Sequence, residues 1–161
     1  MLEFSRNLLL IQVASTLAMV GLIWFVQIVH YPLYSRVGEA AFTQYEADHN
    51  RLTSWVVMPL MLAELGTALL LLGWRPGGVD FASAVIGLVL VLAIWLVTFT
   101  VQVPQHAALV TAYDQEIQQR LVAGNWFRTV AWTARGLLVL WMVDQALAAG
   151  TSSAPTSAAS L

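Results

Sequence analysis

The chain has no cysteine and no lysine, and only 10% of its 161 residues are charged. Without cysteine there are no disulfides, no thiolate metal ligands and no thiol–disulfide chemistry, so histidine, carboxylate, tyrosine and arginine are the remaining chemical tools. The missing lysine and a net charge of −2 argue against a nucleic-acid partner and against a polybasic strip for acidic lipids. A soluble domain of this size would carry about 25% charged residues. Here 59% are hydrophobic, and the mean hydropathy is +0.74. The expected solvent is lipid.

Four long apolar runs account for that composition: Leu8 to Ile28, Trp55 to Trp74, Phe81 to Val103 and Trp126 to Leu147. Each reaches the roughly 20 residues that cross a hydrocarbon core. Continuous runs specify helices, which satisfy their own backbone, rather than barrel strands, which alternate. The expectation is an all-α, integral membrane four-helix bundle occupying residues 1–149, with spans near 8–30, 53–74, 81–104 and 126–147 and a disordered tail over 150–161. Short helices lying at the interface are expected in the connections Leu33 to Ser54 and Ala107 to Asn125, the first because Phe42, Tyr45, His49 and Leu52 follow helical spacing. Arg75-Pro76-Gly77-Gly78 marks a tight connection on the opposite face. The first run reads as a membrane helix rather than a cleaved leader, because no small-residue cleavage site follows it.

With alternating crossings, the end of run one, the start of run two, the end of run three and the start of run four share a face. His30, His49 and His106 all fall there. Three neutral imidazoles could ligate a transition metal ion and leave a position open; alternatively His30 and His106 could be axial haem ligands. Arg51 and Arg128 could pair with propionates, and Tyr34 could donate to a bound ligand. Glu46 stands three residues before His49, but the matching region around Asp114 and Glu116 has no histidine, so a mononuclear site fits better than a dinuclear one. Trp55, Trp74, Trp126 and Tyr31 lie at run ends and read as headgroup anchors.

Glu64 and Arg135 lie well inside apolar runs, each nine residues beyond a tryptophan, Trp55 or Trp126. At about 1.5 Å per residue that is roughly 13 Å, near the middle of a core about 30 Å thick. Pairing is the direct way to offset their burial, and the pair is also a candidate for proton relay or catalysis. A weak repeat aligns Gln27, His30, Tyr45-Glu46, Arg51-Leu52, Trp55 and Glu64 with Gln102, His106, Tyr113-Asp114, Arg120-Leu121, Trp126 and Arg135, suggesting two repeated helical hairpins.

The segments Trp24-Phe25-Val26-Gln27-Ile28-Val29-His30-Tyr31-Pro32, Tyr45 to Arg51 and Pro59 to Glu64 resemble an uncharacterised family of bacterial four-helix membrane proteins. More distantly, the layout resembles the anthrone-oxygenase-like family. That resemblance implies a bacterial cell membrane, oxygenase or other redox activity, and a role for His30. The leading expectation is therefore a metal- or haem-dependent oxidoreductase acting on a lipid-soluble small molecule. The alternatives are a non-enzymatic membrane subunit or assembly factor bound to a partner subunit, and a small transporter, most naturally a homodimer, coupled through Glu64 and Arg135. Arg36, Arg51, Arg120 and Arg128 against Arg6 and Arg75 lean toward a cytoplasmic histidine face.

Overall fold

The computed structural model describes residues 2–152, and they form an all-α four-helix bundle. Helix α1 (Leu2–Phe25) runs on through a π turn (Val26–His30), one further helical turn (Tyr31–Leu33) and a 3₁₀ turn (Tyr34–Arg36). Helix α2 spans Glu39–Gly73 without a break, passing through the exposed Pro59. Helix α3 (Phe81–Val97) widens into a second π turn (Thr98–Gln102) and continues as α4 (Val103–Thr111). Helix α5 is Gln115–Ser152.

The two π turns have the same cause. Proline has no N–H, and its ring crowds the carbonyl four residues earlier; at Pro32 and Pro104 the helix relieves this by opening locally. It does so one residue ahead of each proline: Tyr31 N–H donates to the Val26 carbonyl and Val103 N–H to the Thr98 carbonyl, both five residues back. These matching turns align His30 with Gln102 rather than with His106.

Caps written in the sequence set the other boundaries. Asp80 accepts from the Ser83 N–H at 2.7 Å to start α3, and Asp114 accepts from the Glu116 and Ile117 N–H groups at 2.8 and 3.0 Å to start α5. Between α2 and α3, the Val79 N–H closes a turn onto the Pro76 carbonyl with Gly78 at φ +89°. A side chain at Gly78 would be strained by that φ and would also collide with the Gln145 carbonyl and the Ala149 Cβ.

The expected interfacial helices are not separate elements. Residues 39–52 are the first turns of α2, and residues 115–125 are the first turns of α5, leaving connections of only a few residues at that end. Of the tail expected to be disordered, Gly150 to Ser152 continue α5, and the remainder lies outside the described residues.

The helices form a ring in which α1 packs on α2 and α5, and α3 packs on the same two. The core has three tiers: Leu8, Leu9, Leu71, Val79 and Met142 near the Gly78 turn, then Met19, Ile23, Met61, Ile94 and Trp132, then Tyr31, Tyr34, Phe42, Leu109 and Leu121 at the histidine end. Polarity is inverted relative to a soluble bundle. Gln12, Glu64 and Arg135 are at most 2% exposed, while Val89, Leu96 and Leu137 are 59–66% exposed. Among the described residues, three helical stretches, Leu2–Arg36, Glu39–Gly73 and Phe81–Thr111, are long and apolar enough to cross a membrane. The fourth expected span, 126–147, is not among them, because Arg128, Arg135 and Asp144 lower its hydropathy.

Candidate functional site

Two polar assemblies occupy the interior. The deeper one is centred on Glu64 and Arg135, which the structure brings together as the sequence spacing predicts. Arg135 Nε donates to Glu64 Oε1 at 2.9 Å, and both side chains are essentially inaccessible. Thr16 Oγ1 donates to the same oxygen at 2.8 Å, and Trp132 Nε1 donates to Oε2 at 2.9 Å. Arg135 also donates from Nη1 to the Gly87 carbonyl. Gln12 extends the cluster, donating to Thr16 Oγ1 at 2.9 Å and accepting from Thr67 Oγ1 at 2.8 Å. Every helix of the ring thus contributes to one knot, in which each buried charge has its partners.

The second assembly lies at the histidine end, where His30, His49 and His106 converge as expected. His30 Nε2 and His49 Nδ1 are 2.9 Å apart, and Thr53 Oγ1 also approaches His49 Nδ1 at 3.1 Å. His106 uses both nitrogens: Nδ1 pairs with the fully buried Glu46, and Nε2 lies 2.9 Å from the Tyr31 hydroxyl. With Glu46 as a carboxylate, which only accepts, the His106 proton lies on Nδ1 and Tyr31 donates to Nε2. The Arg128 guanidinium interacts with the Tyr31 hydroxyl, donates from Nη1 to Asn125 Oδ1 at 3.1 Å, and lies 5.0 Å above the Trp132 ring. Asn125 donates in turn to Gln27 at 2.9 Å, tying α5 to the π turn that follows α1.

This arrangement corrects the metal and haem expectation. Among the described residues, no group of three or more His, Asp or Glu side chains is placed to hold a metal ion. The reason is directional: a ligand set needs lone pairs converging on one point, and here the imidazole nitrogens are aimed at each other, at Tyr31 and at Glu46. Haem fails on the same geometry, since His30 turns to His49 and His106 to Glu46 and Tyr31, instead of facing each other across a slot. The metal- or haem-dependent oxidoreductase reading is overturned with it.

Of the expected ligand-binding residues, Arg128 joins the site. Arg51 does not: it is exposed and pairs with Asp48, three residues earlier on the same helix, at 3.0 Å. Tyr34 is fully buried in the aromatic tier, edge-on to His30, Phe42 and Tyr45. Tyr31, read as a headgroup anchor, is 3% exposed and central to the hydrogen-bond chain. Sequence reasoning missed Trp132, Gln102 and Asn125 as site residues, and the available signal was Gln102 inside the third apolar run and Asn125 at the edge of the fourth.

Beside this chain lies a cavity of about 310 Å³. Its polar end is formed by Tyr31, His49, His106, Gln102 and Arg128, and its apolar wall includes Leu22, Ile23, Val57 and Met61. Its exposed lining is Ser54 and Met58 on α2, Phe99 on the second π turn, and Val103 and Ala107 on α4. Glu64 and Arg135 do not line it. No protein-family model matches the chain, and neither curated proteins nor solved structures give a match.

Proposed function

We propose that this chain is an integral membrane protein whose four helices all cross the bilayer, acting as a non-enzymatic subunit that works through its histidine end. The inverted polarity carries this reading: an ion pair and its amide and hydroxyl partners fill the centre, while leucine, valine and phenylalanine cover the outside. Helix α5 fits the same pattern despite its charges, because Asn125, Thr129 and Arg135 point inward and Val130, Leu137, Leu140 and Trp141 point outward. The exposed Trp55, Trp74 and Trp126 suit headgroup levels.

The Glu64–Arg135 pair favours a subunit over a transporter. A coupling pair must exchange partners or protons with a pathway, whereas this one is bonded on every side and lies outside the cavity. It is a static tie between helices.

Single cysteines test the topology without background, since the chain has none of its own. Glu3, Gln44, Gly77 and Gln119 are exposed, and Gly77 has open space for a side chain. Cysteines at Glu3 and Gly77 react with an impermeant maleimide from one side, and those at Gln44 and Gln119 from the other. Labelling of Gly77 and Gln119 from the same side overturns the four-crossing reading. Proteoliposomes holding a pH-sensitive dye show no Glu64-dependent proton movement; a flux lost in Glu64→Gln makes the protein a transporter instead.

A further inference from the structure

We infer that the lateral cavity is a binding site for a membrane-borne carboxylate with a single apolar chain or compact apolar body. The inference rests on the membrane reading above and names the ligand that the histidine end takes.

Two residues that line the polar end of the cavity carry buried polar atoms without hydrogen-bond partners. Gln102 is 1% exposed, lines the cavity, and has neither its amide nitrogen nor its oxygen hydrogen-bonded. Arg128 is 7% exposed and lines the same space, and its Nε has no partner. Ion pairs among the described residues engage Arg51, His106, Arg120 and Arg135, and none engages Arg128. A buried guanidinium facing only neutral groups is costly, and its unpartnered Nε–H is a donor that an acceptor-only carboxylate would satisfy. The nearby acid, Glu46, does not meet this need: its Oε1 is taken by His106, and its Oε2, though buried and without a hydrogen-bond partner, forms no ion pair with Arg128.

Size and access select the rest of the molecule. A cavity of about 310 Å³ lies at the small end of ligand sites, which run from about 300 to 1,000 Å³, so a two-chain phospholipid does not fit. The exposed lining includes Met58, Phe99 and Val103 on the apolar flank of the bundle, which under the membrane reading gives a ligand a route in from the hydrocarbon. An apolar tail would lie along Leu22, Val57 and Met61, with its carboxylate at Arg128 and Gln102.

The test is saturable binding of radiolabelled dodecanoate to the protein in phosphatidylcholine nanodiscs, corrected for empty discs, with dodecanol as the uncharged competitor. One site per protein is expected, with dodecanol at least about tenfold less effective, since a charge-assisted contact is worth a factor of that order or more. Arg128→Gln weakens binding about tenfold or more, and Val57→Trp, which fills the cavity away from its polar end, abolishes it. Should Arg128→Gln fail to fold, Gln102→Leu carries the test and weakens binding while retaining helicity. Binding no greater than in empty discs, equal competition by dodecanol, or unchanged binding in Val57→Trp overturns the assignment. The cysteine-labelling pattern is independent of all three outcomes, so failure of the ligand and failure of the membrane topology are distinguishable.

Discussion

Arg135 and Glu64 meet across the bundle, Nε to Oε1 at 2.9 Å, although their helices, α5 and α2, occupy opposite corners of the ring and do not pack along their length. The pair closes the centre of the bundle, and Thr16, Trp132 and Gly87 hold it from the sides. Removing one member leaves the other charged, buried and unpaired.

Glu64→Gln and Arg135→Gln are therefore each expected to destabilise the protein by about 3–5 kcal/mol, the usual cost of orphaning one partner of a buried pair. The double variant should cost less than the sum of the single ones. Reversible unfolding in mixed micelles measures the cycle, and strictly additive losses would show that the two side chains act independently.

Tyr31→Phe removes the hydroxyl that donates to His106 Nε2 and meets Arg128. Its expected cost is about 1–3 kcal/mol, the penalty for leaving buried polar groups without partners. His106 should hold its proton on Nδ1, facing Glu46, and ¹⁵N chemical shifts of labelled histidine report that directly. The Nε2-protonated tautomer in the unaltered protein would contradict the donor order from Tyr31 to His106 to Glu46.

At the other end of the bundle, Gln145 and the start of α3 hold the Asp80 carboxyl down to a pKa of about 2, through hydrogen bonds from Gln145, then from the Ser83 backbone and side chain. A carboxyl depressed by folding stabilises the folded state above its ordinary range, and that contribution fades as pH falls through the folded value. The melting temperature of the protein should thus decline between pH 4 and about 2, and Asp80→Asn should flatten this part of the profile. An identical acid limb in the variant would assign the decline to other carboxyls.

The sequence by itself determined the four apolar runs, the gathering of three histidines at one end and the equal depth of Glu64 and Arg135. Each follows from run length, alternating direction and a fixed rise per residue, none of which depends on side-chain orientation. The caps at Asp80 and Asp114 are equally local. What only the tertiary structure decided was rotation. A π turn inserts one residue, which swings everything after it by about 100° relative to a regular helix. The turn after α1 therefore carries Tyr31 inward to Arg128, where its place at the end of an apolar run read as a headgroup anchor. Rotation also set the fate of the histidines. Three imidazoles at one level are a metal site if their lone pairs converge and a hydrogen-bond network if they face one another, and composition and spacing are the same in both cases. The packing of α2 against α4 decided it by seating Glu46 beside His106.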